Sequence, residues 1–317
     1  MSSRHLVDAE LLPFLDMRPP IELTRETLPA VRAGFAEMRA QLFAGFTPPP
    51  DVEKTERYAP GPKGAPEARA LMYRPKAASG PMPAYLHIHG GGYVVGDPDT
   101  MEPRNMLYAR DLGAVVVSVD YRLAPETPFP GPVEDCYAAL KWLHDNAGEL
   151  GVDRARIAIG GESAGGGLAA GLALLARDRG EVPVAHQQLI YPMIDDRPAA
   201  DPHPFTGEFI WTRDSNHFGW SALLGNPPGG EGVSPYAAAA RAENLEGLPP
   251  TFIGTGALDL FLEENLAYAR RLTRAGVPVE LHVYPGAVHG FDMAPDSRLA
   301  GQHARDQIEA LRQAFQR

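Results

Sequence analysis

Short apolar runs and helix-length amphipathic segments alternate along most of the chain. Runs at 85–89, 115–120, 156–160, 186–191, 251–255 and 279–284 are too short for helices and read as strands, the first two as fully buried ones. Between them, the segments 102–112, 133–146, 164–178, 263–275 and 300–315 read as helical, and within the N-terminal region 28–46 has apolar residues at helix-like intervals. Strands separated by helices of crossover length predict a mostly parallel sheet covered on both faces, an α/β architecture. Two shorter runs, 54–58 and 70–74, are flanked by Pro and Gly and predict an edge hairpin. Residues 1–50 read as two helical pieces broken at Pro19-Pro20 and closed by Pro48-Pro49-Pro50. The rhythm fails over 195–246, where prolines mix with Phe205, Phe209, Trp211, Phe218 and Trp220. A long insertion rich in aromatics predicts an ordered cap with helical parts. That leaves 51–194 and 247–317 as the core, with no internal repeat and no low-complexity tract.

Composition narrows the setting. The 317 residues are 44% hydrophobic and 22% charged, enough for a large core. A net charge of -11 opposes binding to nucleic acid or an anionic membrane surface. The first ten residues carry charges and no apolar stretch, unlike a secretory signal. No run approaches the about 18 apolar residues of a membrane span. Cys136 is the single cysteine, so an internal disulfide is excluded, and its helical surroundings predict a buried small hydrophobe. The expectation is a soluble, cytoplasmic protein.

Candidate chemistry begins at Gly161-Glu162-Ser163-Ala164-Gly165, at the end of one predicted strand and the start of a small-residue helix. That context can hold a serine on a sharp turn at the top of a sheet, with glycines two residues either side leaving room for strand and helix to approach. The bland alternative is a helix N-cap. Downstream, His289 lies in a glycine-flanked loop just past the last predicted strand, where α/β sheets place their chemistry. Among ten histidines it is the best-placed base; His87 and His282 fall within strands, and His5, His144 and His303 on polar helices or the terminus. Asp259 follows the strand at 251–255 and is placed to orient the base; it is also a candidate N-cap, with Glu263 and Glu264 as nearby competitors. His89-Gly90-Gly91-Gly92 directly follows a strand, and its glycines let main-chain N–H groups converge. Gly91 and Gly92, with Ala164, are the expected oxyanion donors. Nucleophile, orienting acid and base thus occur in the order Ser163, Asp259, His289.

The same glycines admit a dinucleotide-binding reading, with Asp120 as the ribose ligand. Their spacing is not the usual one, and Met101, Glu102 and Pro103 start the helix too far downstream to hold a pyrophosphate. A metal reading of His87 and His89 lacks a third ligand at suitable spacing.

Four segments together resemble the hormone-sensitive lipase family of α/β-hydrolases, in its bacterial carboxylesterase branch. They are His89-Gly90-Gly91-Gly92-Tyr93, Asp120-Tyr121-Arg122-Leu123-Ala124-Pro125-Glu126, Gly161-Glu162-Ser163-Ala164-Gly165-Gly166 and Val288-His289-Gly290-Phe291. The resemblance spans nearly the whole chain. It implies the α/β-hydrolase fold, a cap built from residues 1–50 and 195–246, and a prop for the oxyanion loop in the second segment. It further implies hydrolysis of short- to medium-chain carboxylic esters through an acyl-enzyme, with no cofactor and no metal, and is compatible with a homodimer. Two positions depart from the family pattern: Glu162 stands where many members have Asp, and Asp259-Leu260-Phe261 stands where Asp-Pro-Leu is frequent. A non-catalytic small-molecule receptor on the same fold is the rival reading; the presence of His289 speaks against it.

Overall fold

A computed structural model describes residues 2–18, 22–43, 45–62, 64–77, 80–198, 202–294 and 296–316. The predicted strands and the edge hairpin form one sheet of eight strands: β1 (Val52–Ala59), β2 (Ala68–Pro75), β3 (Met82–Ile88), β4 (Val115–Val119), β5 (Val152–Glu162), β6 (His186–Ile190), β7 (Thr251–Gly256) and β8 (Val279–Tyr284). Their spatial order is β1-β2-β4-β3-β5-β6-β7-β8. β1 pairs antiparallel with β2, and β2 with β4; every later pairing is parallel. β3, β4, β6 and β7 are buried along their whole length, as expected of strands covered on both faces. The predicted edge hairpin is β1 and β2. The described helices are α1 (Leu12–Asp16), α2 (Leu28–Phe43), α3 (Glu102–Leu112), α4 (Gly131–Asp145), α5 (Ala147–Leu150), α6 (Ala164–Arg179), α7 (Arg213–Leu224), α8 (Leu262–Arg274) and α9 (Arg298–Gln316). The break expected at Pro19-Pro20 lies outside the described residues.

The topology makes a crevice. From β3 the chain crosses to β4 on one side and then returns to lay β5 on the other. Loops leaving the carboxyl ends of β3 and β5 therefore diverge, and such a switch point is where open α/β sheets hold ligands. The glycine loop leaves β3 and Ser163 leaves β5. α6 is buried from Ala164 through Ala176, and its small residues let it lie close to the sheet. At Gly165 an added Cβ would meet the Ile88 carbonyl oxygen at 2.0 Å and that of His89 at 2.5 Å. Any side chain there would push the helix off β3.

Two peripheral segments reach toward this end of the sheet. Near the N-terminus, Val7, Leu11, Phe14 and Leu15 pack with Tyr284, Ala287, Val288 and Phe291 around the loop that carries His289, and the Asp8 N–H donates to the Gly286 carbonyl at 3.0 Å. On α2, Arg32 donates from Nε to the Val94 carbonyl at 2.8 Å, just past the glycine loop. The insertion after β6 supplies α7, and the Ser3 main-chain N–H and hydroxyl reach Glu208 in it at 2.5 and 2.6 Å. Cys136 is buried as a free thiol on α4.

Candidate active site

Ser163 occupies the single residue between β5 and α6, with φ 57° and ψ −120°. A non-glycine residue in this region is strained, and such strain persists only where the surroundings over-determine it. Here the Ser163 N–H donates to Ile190 O at 2.9 Å, while its carbonyl accepts from Gly167 at 2.9 Å and Met193 at 3.0 Å. The side chain accordingly stands up from the sheet. Its Oγ lies 2.9 Å from His289 Nε2, and His289 Nδ1 lies 2.8 Å from Asp259 Oδ2. A carboxylate only accepts, so Nδ1 carries the proton and Nε2 is left to accept the serine O–H. Asp259 is fully buried and its Oδ1 accepts the Phe261 N–H at 2.9 Å. The structure thus brings together the three side chains expected from separate parts of the sequence, in a continuous hydrogen-bonded chain.

The competing acids are elsewhere. Glu264 is spent on the start of the insertion, where Oε1 accepts the Ile194 and Asp195 N–H groups at 2.8 and 3.2 Å. Burial holds its carboxyl well above the ordinary range. Glu263 is exposed on α8. The unusual Phe261 turns its ring edge to the imidazole, with centroids 5.2 Å apart. Tyr191 approaches the ring from 4.7 Å and Trp211, from the insertion, from 6.4 Å. These aromatic walls leave Ser163 and His289 each 6% exposed, so reaction there would proceed largely out of water, where charge interactions are stronger.

Gly91 has φ 120°, and an added Cβ would meet the Val95 carbonyl oxygen at 2.0 Å. Only glycine fits this turn. Among the described residues neither the Gly91 nor the Gly92 N–H donates to a main-chain carbonyl. Gly92 backs onto the Trp211 indole, whose Cη2 would lie 2.1 Å from a Cβ built there. The Asp120–Glu126 segment braces this loop: the Tyr121 hydroxyl donates to His89 O at 2.9 Å, its ring stacks on His89 at 4.3 Å, and the Ala124 N–H donates to Tyr93 O at 3.0 Å. Arg122 and Asp135 in turn hold the segment through a two-pronged pair at 2.8 and 2.7 Å. Asp120 itself pairs with Arg69 at 3.3 Å. His87 lies against Ser118 and Glu162 at 2.9 and 3.0 Å, and the His89 Nδ1 faces Gly90 O at 2.8 Å, so the two rings are engaged separately.

Several contacts at the site had no local signature. Glu162 does not reach His289; it takes His87 on one oxygen and Arg104 Nη1, at 3.0 Å, on the other. Arg104 also pairs with Asp292, which accepts the Tyr191 hydroxyl at 2.5 Å. His303, on a helix with a polar outward face, is fully buried beside this network. Burial lowers both His89 and His303 to about 4. The folded protein therefore keeps both rings neutral at pH values where an unfolded chain, with histidines near 6.5, has begun to bind protons. Between about pH 6.5 and 4 the unfolded state holds more protons, so stability falls as pH drops, by up to about 1.4 kcal/mol per unit for each ring. Thermal melts at constant ionic strength are expected to show the midpoint declining from pH 6.5 to 4.5; a flat midpoint over that range would contradict the buried neutral rings.

A family profile described as the alpha/beta hydrolase fold matches residues 85–293. Carboxylesterase NlhH of Mycobacterium tuberculosis is 36% identical over 294 residues, covering 87% of this chain and 89% of that protein. A solved bacterial heroin esterase superposes with a TM-score of 0.95 at 42% identity, covering 99% of each chain. Esterase LipW from Mycobacterium marinum gives 0.88 at 35% identity, over 98% of this chain and 97% of that one. Fold and relatives converge: the chain belongs to the alpha/beta-hydrolase family, in its hormone-sensitive lipase branch.

Proposed function

We propose that the chain hydrolyses short- to medium-chain carboxylic esters by acyl transfer to Ser163. The observation that carries this reading is the unbroken series of hydrogen bonds from Ser163 through His289 to Asp259. Ser163 Oγ attacks the ester carbonyl carbon as His289 Nε2 takes its proton. Asp259 stabilises the resulting imidazolium, and the N–H groups of Gly91, Gly92 and Ala164 receive the negative oxygen. His289 returns its proton to the alkoxide as the carbon–oxygen bond breaks, which frees the alcohol. Water then attacks the acyl-enzyme by the same route, its proton passing through His289 to Ser163 Oγ as the acid leaves. No cofactor is required by these steps.

Residues 1–50 and 195–246 are read as the cap over this site. The Ser3–Glu208 contacts, the Arg32 bond to Val94 and the placement of Trp211 beside Gly92 support that division. Among the described residues no helix is long and apolar enough to cross a membrane. A cytoplasmic enzyme fits the free buried thiol.

An acyl series of p-nitrophenyl esters tests the reading. Aromatic rings close around His289 favour small acyl groups, so kcat/KM is expected to peak between acetyl and octanoyl esters. A maximum at lauroyl or longer, or no hydrolysis of any ester, would overturn it. One similar structure is named a heroin esterase, so heroin, an acetyl ester of a bulky alcohol, belongs in the same screen.

A further inference from the structure

The two loops that supply Ser163 and His289 come from strands that are not neighbours in the sheet. Side-chain contacts near Ser163 and His289 tie the two loops together. Glu162 immediately precedes Ser163, and Asp292 lies three residues past His289. One guanidinium joins them: Arg104 Nη1 donates to Glu162 Oε1 at 3.0 Å, and Nη2 donates to Asp292. Arg104 stands in the first turn of α3, the helix that follows the glycine loop, so all three parts of the site meet at one side chain.

Both carboxylates are otherwise occupied on their second oxygens, Glu162 by His87 Nε2 at 3.0 Å and Asp292 by the Tyr191 hydroxyl at 2.5 Å. The side chains of Glu162 and Asp292 are 8% and 4% exposed, and that of Arg104 20%. Burial by itself would raise both carboxyls; for Glu162 the neighbouring His87 and Arg104, and for Asp292 chiefly Arg104, outweigh it and hold them below their ordinary values. Arg104 is held well above its own value by the two carboxylates, against the effect of burial. Buried ion pairs add little to stability compared with apolar packing, so stability alone is a poor reason for this cluster. Its location is a better one. Ser163 and Tyr191 both have positive φ, 57° and 32°, and sit at the two ends of the network. Strained residues of this kind need a rigid surround, and Tyr191 lies edge-on to the His289 ring.

We propose that Arg104 is a positioning residue: by bridging Glu162 and Asp292 it fixes the spacing between the Ser163 elbow and the His289 loop. The inference rests on the ester-hydrolase reading above. A guanidinium suits the task because its nitrogens reach two separate acceptors at once, which an ammonium cannot do in the same geometry.

The test is steady-state hydrolysis of p-nitrophenyl butyrate by wild type, Arg104→Met, Arg104→Lys, Asp292→Asn and the Arg104→Met/Asp292→Asn double variant. Rates are expressed per mole of phosphonate-reactive Ser163, so that loss of folded protein alone leaves them unchanged. A misplaced reacting pair costs rate rather than binding, so Arg104→Met is expected to lower kcat about 10- to 100-fold. KM is expected to stay within about threefold. Arg104→Lys should recover part of the loss, and the double variant should be no slower than Arg104→Met, because both substitutions break one bridge. A kcat for Arg104→Met within about twofold of wild type, or a loss confined to KM, overturns the proposal. If Arg104→Met does not fold, the isosteric Asp292→Asn decides: a fall in kcat of about tenfold supports it and an unchanged kcat overturns it. A wild-type protein that takes no phosphonate sinks the hydrolase reading and this inference with it; a labelled wild type with unaffected variants sinks this inference alone.

Discussion

Ser163→Ala is expected to lower kcat by about a millionfold while the protein melts with the wild type. The size of the loss follows from the role: without Oγ there is no acyl-enzyme, and what remains is the pull of the oxyanion donors on a bound ester attacked by water. The stability expectation follows from the contacts. The hydroxyl reaches His289 Nε2, but the strained turn is held by main-chain bonds to Ile190, Met193 and Gly167, which alanine leaves intact. Hydrolysis of p-nitrophenyl acetate and a thermal melt of the same preparation check both halves. A variant that keeps a tenth of the wild-type rate would remove Ser163 from the chemistry.

Asp259→Asn is the more diagnostic change, with an expected loss of about 10^4 in kcat. Asp259 Oδ1 accepts the Phe261 N–H at 2.9 Å while Oδ2 accepts from His289 Nδ1 at 2.8 Å. An asparagine must keep its oxygen toward Phe261, so its NH2 group faces Nδ1. The ring then carries its proton on Nε2, toward Ser163, and cannot accept the serine proton. KM should change little, because Asp259 is fully buried behind the His289 ring it bonds. Were Glu263 or Glu264 the orienting acid instead, Asp259→Asn would stay within a few-fold of wild type and the glutamate variants would lose the rate. The Glu264 bonds to Ile194 and Asp195 and the exposure of Glu263 argue for the first outcome.

The alternation of apolar runs and helical segments was enough to read the order of core elements, because β3, β4, β6 and β7 are buried along their whole length and helical segments of crossover length separate the parallel strands. Boundaries were less legible where side chains do not decide. β5 runs from Val152 to Glu162, longer than its apolar centre, because Val152 pairs with Met82 past an irregularity and Gly160, Gly161 and Glu162 continue the ladder through main-chain groups alone. The aromatics of 195–246 predict an ordered cap, and of them Trp211 and Trp220 are buried. Its wall against Gly92 is a tertiary fact with no pattern in the sequence.

Ser163, Asp259 and His289 were legible because each has a local reason to stand at a strand end: glycines that permit a sharp turn, or a loop just past an apolar run. Arg104, Asp292 and Tyr191 have none. Arg104 looks like an ordinary helix-surface charge beside Pro103, and its partners lie 58 and 188 residues away. Glu162 was visible only as an unusual neighbour of the serine. Its partners, His87 on β3 and Arg104 on α3, come together only when the sheet is built. Local sequence marks Ser163, Asp259 and His289, whereas Glu162, Arg104, Asp292 and Tyr191 are brought together beside them only by the fold.

The most direct measurement is phosphonate labelling followed by peptide mass mapping, on wild type and on His289→Ala. The expected result is one adduct per chain, on Ser163, formed at the rate at which esterase activity is lost, and labelling slowed by orders of magnitude without the imidazole. Full inactivation with the adduct on another residue, or ester hydrolysis that survives complete modification of Ser163, would contradict the account.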